Sequence, residues 1–366
     1  MSNISFLYRK LSDTKIPNEI KDINNLYNDS TWKIEVLKQN PFLKEINETV
    51  FQIFGLVDNE IVGSETHFPI ILELDKQEYP SVSGHGLSVS VNHRGLGLGT
   101  RLTDQRLDYS NTKSLLLCDA SQMHLPILKK LGAIIFLMPR MILLRHSFSV
   151  IENKTNKIIA KCLAPIVDIF LKIPYRLVKR RIRKKTRKLC IRELERAPGT
   201  IENIISSDLH PFKEKHSCEW FNWVKNYSLV EDNSIIKKLY GVYHNNELVG
   251  FFMTKQRFYP QASHRGYKNV VMGSIMEWGT INNSIITDND LCLLALLSFD
   301  KEVDAIELCC TDEESAKYFK KLGLIQVGNG NVVIRYRNNS PLNEIKYLDR
   351  QSNWRLRPAM GDNSLS

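Results

Sequence analysis

The chain has 366 residues, 43% hydrophobic and 25% charged, with a formal net charge of +10; this is long enough for two cores of ordinary size, and the composition is that of a globular domain protein. No apolar, uncharged stretch of about eighteen residues occurs, and residues 1–15 mix acidic and basic side chains where a signal peptide needs an apolar run, so neither a membrane span nor export is expected and a cytoplasmic location is. Seven cysteines scattered without CxxC pairs, and no His cluster at metal spacing, speak against a disulfide framework or a zinc site and predict reduced, mostly buried thiols with no metal.

In chain order the apolar periodicity predicts a strand over 4–11, helical stretches within 16–39, a hairpin over 50–72 and a strand over 84–91. A helix over 97–109, a strand over 114–118, a helix over 121–131 and strands over 133–137 and 140–146 follow. Residues 164–178 are mostly apolar and run straight into 179–188, where eight of ten residues are Lys or Arg, so the positive charge is local. Pro174 predicts two short helices there instead of one. The order then returns: a strand over 189–196, helices within 201–227, a hairpin over 238–257, a strand over 270–279, a helix over 290–298, a strand over 304–309, a helix over 312–322 and a strand over 331–337. Residues 340–366 form a polar tail.

That return is visible in the residues themselves. Phe54-Gly55-Leu56-Val57-Asp58-Asn59-Glu60-Ile61-Val62-Gly63 is echoed by Tyr240-Gly241-Val242-Tyr243-His244-Asn245-Asn246-Glu247-Leu248-Val249-Gly250. Leu128-Lys129-Lys130-Leu131-Gly132, a helix end with its stop glycine, is echoed by Phe319-Lys320-Lys321-Leu322-Gly323. The spacings are 186 (Gly55 to Gly241) and 191 (Gly132 to Gly323), in the same order, which argues for two units of similar topology.

One segment carries chemistry. Leu87-Ser88-Val89 alternates as a half-buried strand, and Asn92-His93-Arg94-Gly95-Leu96-Gly97-Leu98-Gly99-Thr100 then turns into a helix. Glycines at 95, 97 and 99 bring backbone N–H groups close to a ligand at a helix N-terminus, a geometry that binds a diphosphate, and Arg94 adds a charged contact. A dinucleotide fold is the competitor, but its fingerprint opens a βαβ unit with an acidic residue ending the second strand, and here a hairpin comes first and no such residue follows.

The segment resembles the R/Q-x-x-G-x-G/A signature of the GNAT superfamily of acyl-CoA-dependent N-acyltransferases, with Arg94, Gly97 and Gly99 in its fixed positions. The family's element order runs over about residues 1–146, and more loosely over the second copy, where 280–288 holds neither the arginine nor the glycines. His264-Arg265-Gly266 mimics part of the signature but precedes its strand. The resemblance implies an α+β fold of two tandem GNAT-like domains, each a central mixed β-sheet flanked by helices, joined by a basic helical linker. Its divisions are an acyl-CoA-binding domain (1–148), linker helices (149–188), a degenerate second domain (189–339) and a tail (340–366). The expected donor is acetyl-CoA or another acyl-CoA, with Leu87, Ser88 and Val89 on the pantetheine amides and Arg94, Gly95, Leu96, Gly97, Leu98, Gly99 and Thr100 around the diphosphate.

The family's usual tyrosine acid is not at its place: the matching positions hold Leu128 and Phe319, with Tyr318 beside the latter. For the base, His85 is the candidate, since an imidazole, with an ordinary pKa of about 6.5, is the side-chain type suited to that task; Asp119, Ser121 and His124 share the alternative, and His67 on the hairpin is either near the cleft or solvated. The resemblance implies acyl transfer to a small-molecule amine, sugar- or lipid-linked, such as an amino sugar of surface-polysaccharide assembly. Two other readings stay open: an aminoacyl transferase of the peptidoglycan-branching type, and a non-catalytic protein that binds acyl-CoA or a membrane. Residues 164–188 suit either peripheral contact with anionic lipid or a packed linker; nucleic acid is not expected, since no stacking aromatics accompany the basic run. The patterned tail at 354–363 is expected to fold back over a cleft.

Overall fold

The computed structural model describes residues 3–10, 35–43, 50–109, 114–118, 120–229, 232–260, 268–281, 283–361 and 365. In chain order its elements are β1 (Ile4–Lys10), β2 (Val50–Val57), β3 (Glu60–Leu74), β4 (Gln77–Val89), α1 (Leu98–Tyr109), β5 (Ser114–Cys118), α2 (Leu125–Lys130), β6 (Ile134–Leu144), α3 (Phe148–Lys154) and α4 (Lys157–Thr186). The second half continues with β7 (Leu189–Leu194), α5 (Gly199–Ser206), β8 (Phe212–Glu214), α6 (Cys218–Asn226), β9 (Ile236–His244), β10 (Glu247–Tyr259), β11 (Val270–Thr280), α7 (Asp288–Ser298), β12 (Ala305–Cys309), α8 (Glu313–Lys321) and β13 (Ile325–Tyr336). Most of the stretch 16–39 and the triplet at 264–266 lie outside the described residues.

The repeated hairpins have one cause. Asp58 and Asn59 sit at φ 49° and 72°, and Asn245 and Asn246 at 51° and 68°. Two successive left-handed residues are what a type I′ turn requires, and Asn and Asp tolerate them best among residues with a side chain. The echoed glycines serve close approach: a Cβ on Gly55 would lie 2.8 Å from Leu98 of α1, and one on Gly250 would lie 3.1 Å from Leu291 of α7. Each half thus lays its signature-position helix directly on its hairpin.

The repeated helix ends are Schellman caps. Gly132 donates to Lys129 O and Ala133 to Leu128 O; Gly323 donates to Lys320 O and Leu324 to Phe319 O. Both glycines have positive φ, 76° and 89°. A Cβ on Gly132 would meet open space, whereas one on Gly323 would lie 2.8 Å from Pro174. Gly132→Ala should therefore cost only the left-handed strain, about 1–2 kcal/mol. Gly323→Ala should cost more, and urea unfolding of the two variants checks the order.

The described strands form a single sheet in the order β1-β2-β3-β4-β5-β13-β6-β12-β11-β10-β9-β7, with β8 alongside β3. The two units expected from the repeat share it because their last strands cross over. β13 runs antiparallel between β5 and β6, and β6 pairs onward with β12. The largest apolar cluster accordingly draws on both halves, with Phe68, Leu116, Phe212, Phe221, Phe251 and the tail's Trp354 among its buried members.

Two local expectations are corrected. The strands at 133–137 and 140–146 are the one strand β6, running through Pro139 beside a register shift in β13 between Gln326 and Gly328. Residues 164–178 belong to the continuous 30-residue helix α4, with Pro165 and Pro174 inside it. Each internal proline costs about 3 kcal/mol, and packing offsets that. Ala160, Ala164, Val178 and Ile182 are buried, Asp168 accepts hydrogen bonds from Ser147 N and Oγ at 2.8 and 2.7 Å, and Pro174 rests on Gly323.

Candidate active site

β4 runs parallel to β5 only at Val82–Leu115 and Ser83–Leu116. Beyond that point β5 continues against β13, while β4 carries on to Val89 against β3. The two strands splay, and the backbone edge of β4 from Gly84 to Val89 is left facing a gap. Inside the same stretch the β3–β4 register slips: Ser64 faces Ser88 and Thr66 faces His85, so β4 holds one extra residue, with Gly86 at φ 68°. Such a bulge breaks the alternation of side chains and is a common device beside reactive sites.

The glycine segment closes the gap at one end. Gly95 and Gly97 have φ of 91° and 75°, and a Cβ on either would meet nothing within 4 Å, so bare backbone borders open space there. The first amides of α1 come next, with the N–H groups that a helix cannot satisfy itself and its positive dipole end. Gly99 plays a different part from the one expected. It is helical, and a Cβ on it would lie 3.3 Å from Ile127 Cδ1, so it lets α1 and α2 pack closely. Arg94 donates through Nε to Val89 O at 3.2 Å, tying the loop back to the strand.

The result is a cleft of about 650 Å³. Of the expected donor-site residues, Leu87, Ser88, Val89, Arg94, Gly95, Gly97, Leu98, Gly99 and Thr100 line it. Leu96 does not, and its side chain is exposed. His85 and Ser121 line it as well, whereas Asp119 lies outside the described residues. His124 is on the wall and buried, its Nε2 3.1 Å from Thr103 Oγ1, which in turn donates to Gly99 O at 2.9 Å. That chain joins the first turn of α1 to α2. His67 is buried away from the wall. Leu128, at the family's tyrosine position, is buried in a core cluster, and Tyr318 accepts a hydrogen bond from Arg181 Nε at 3.3 Å on the other half.

Two ionisable wall residues lie outside the expected site residues. Glu65, 1% exposed, is the one acidic side chain on the wall among the described residues. It sits within a β3 run so uniformly buried that alternation carries no signal for it. His93 borders the cleft beside Arg94, within the turn that leads into α1.

The second half has the same splay. β11 pairs with β12 only from Met272 to Ser274, and here too a bulge follows, with Met253 facing Glu277 and Thr254 facing Ile275. The C-terminal segment covers this stretch: Ala359 donates to Met276 O, and the Arg355 and Arg357 guanidinium groups donate to Trp278 O. Arg355 is also paired with Glu277 at 2.7 Å and Asp208 at 3.1 Å, Arg357 with Asp288 at 2.8 Å, and His216 with Glu277 at 2.9 Å. The tail does fold back, and its arginines are consumed in doing so. Burial pushes the Glu277 carboxyl up, but Arg355, His216 and Arg357 together outweigh it and bring its pKa to about 2.

No family model and no curated protein matches the sequence. By structure, the chain is similar to N-myristoyltransferase from Saccharomyces cerevisiae with bound myristoyl-CoA, at 14% identity over 97% of this chain and 84% of that one, with a TM-score of 0.53. It is also similar to a conserved protein of unknown function from Enterococcus faecalis described as a probable N-acyltransferase, at 10% identity over 91% of this chain and 73% of that one, with a TM-score of 0.53. At these identities the likeness is one of fold.

Proposed function

We propose that this chain, which has the GNAT fold in two halves, is an acyl-CoA-dependent N-acyltransferase with one donor site, in the β4–β5 cleft. The observation that carries the reading is the junction of three features in that cleft: a strand edge beside which no further strand pairs among the described residues, a bulge at Gly86 and an open glycine turn at a helix N-terminus. Pantetheine is an extended chain with two amides, which the edge of β4 from Gly84 to Val89 takes up as a partial strand. The diphosphate sits over Gly95, Gly97 and the first amides of α1, with Arg94 and His93 adding donors.

The acceptor is an amine. Glu65 draws a protonated amine into the cleft, His85 takes one proton from it so that the nitrogen lone pair is free, and the neutral amine attacks the thioester carbonyl and releases its second proton to water. A C–N bond forms, the C–S bond breaks, and CoA departs as a thiolate that takes its proton from water or from protonated His85. Backbone N–H groups at the bulge stabilise the oxyanion in between. We take the acyl group to be acetyl and the acceptor an amino sugar of surface-polysaccharide assembly, in the cytoplasm where acyl-CoA is made; turnover against a panel of amino sugars and N-terminal peptides tests this, and a preference for peptides overturns it. An acyl group carried on tRNA has no diphosphate to use the glycine turn. The second half shapes the acceptor side, since its own opening is filled by the tail.

Titration calorimetry with acetyl-CoA is the direct test: one site per chain is expected, and no binding sinks the reading. His85→Ala should lower kcat by about 100-fold with little change in acetyl-CoA affinity. Undiminished turnover would give the base to another residue.

A further inference from the structure

Helix α4 is apolar on two faces, one buried and one exposed, about 120° apart round its axis. Ala160, Ala164, Val178 and Ile182 are buried against the protein, while Ile159, Leu163, Ile166, Phe170, Ile173 and Leu177 recur at alternating steps of four and three and are all exposed. Phe170 is 63% exposed and Ile158, beside the stripe, 77%. Helices apolar all round are ordinarily buried, and single exposed apolar residues are common where contiguous rows are not. The stripe calls for a partner.

The charges say which kind. Within α4 stand ten Lys and Arg residues against one acid, Asp168, which is occupied by Ser147. Lys161, Lys172, Arg176, Lys179 and Arg183 form a second exposed line on the basic side of the helix, about 130° round from the stripe, and Arg180 lies at the stripe's edge beyond Leu177. A second copy of the chain would bring an equally cationic helix against this one, so self-pairing is opposed by like charge. No helix among the described residues is long and apolar enough to cross a membrane.

We propose that α4 docks the protein on an anionic bilayer surface, with the Ile159–Leu177 stripe at the boundary between headgroups and acyl chains and the basic side toward anionic headgroups. Apolar burial and electrostatic attraction act together in such helices, and either alone gives weak binding. The surface is separate from the cleft, none of whose wall residues lies on α4.

Cosedimentation of the full chain with vesicles tests this. Vesicles of phosphatidylcholine carrying about a quarter phosphatidylserine should bind at least roughly tenfold more protein than phosphatidylcholine alone, and added salt should weaken binding. Ile166→Glu with Phe170→Glu, and separately Lys179→Glu with Arg180→Glu, should each lower binding about tenfold. Their melting temperatures and their turnover with soluble substrates should match the parent, because all four side chains are exposed and off the cleft. Absence of binding to anionic vesicles overturns the proposal, as does undiminished binding by the I166E/F170E variant. A dimer in sedimentation that I166E/F170E dissolves, or retention on RNA, in either case without vesicle binding, would assign the face to another partner.

Discussion

Gly97→Asp should raise the Kd for acyl-CoA by roughly 100-fold or more while leaving the fold in place. Position 97 has φ 75°, and a Cβ there points into open space. Asp is among the residues that adopt this backbone region at least cost, so the substitution does little to the turn itself. What it adds is a negative charge where a diphosphate is proposed to bind. Two unit charges about 5 Å apart at a protein surface repel by about 3 kcal/mol, which converts to more than 100-fold in affinity. Gly97→Asn is the matched control: it has the same size and backbone tolerance without the charge, and should stay within about tenfold of the parent. Titration with acetyl-CoA reads both. Wild-type affinity in the Asp variant would remove the diphosphate from this turn.

The second large effect is expected far from the cleft. Arg355→Met should lower unfolding stability at neutral pH by about 3–5 kcal/mol, because it leaves Glu277 buried with much of its counter-charge gone. The same cluster sets a pH dependence. Glu277 is held at about 2 in the folded protein against an ordinary 4.5, so its contribution is complete above 4.5 and is lost as pH falls from there toward 2, on the order of 3 kcal/mol in all. His216 runs the other way: burial lowers its pKa, but Glu214 and Glu277 outweigh that and raise it. Its contribution is therefore complete below 6.5 and is lost as pH rises through the raised value. In Arg355→Met the acid slope should be shallower, since Glu277 has lost the largest of the influences that depress it. Urea midpoints at pH 7 and pH 3 check both points. A variant within about 1 kcal/mol of the parent at pH 7 would mean that apolar contacts of Trp354 and Leu356, and not the ion pairs, hold the tail.

The tail also accounts for the difference between the two openings. Both halves build the same splay and the same bulge, so the loss of glycines after β11 is only part of why the second half is unlike the first. The other part is steric, since the segment around Arg355 to Ala359 lies along β11, whereas no described segment pairs as a strand along the matching stretch of β4 in the first half.

Features that depend on a few neighbouring residues were legible in the chain before any folding was considered. The paired Asp-Asn and Asn-Asn turns, the two stop glycines and the open turn at Gly95 and Gly97 are all positions where a positive φ is required, and only certain residues meet that requirement. They placed both hairpins, both helix ends and most of the cleft wall in advance. Long-range packing settled what remained. The crossing of β6 and β13 depends on which strand edges remain open once both halves are assembled, and no local pattern records that. α4 runs through two prolines because contacts with Ser147 and Gly323 from distant parts of the chain offset their cost. The roles of the tail's arginines have the same kind of cause: a buried charge is made tolerable by partners that arrive only when the chain has folded.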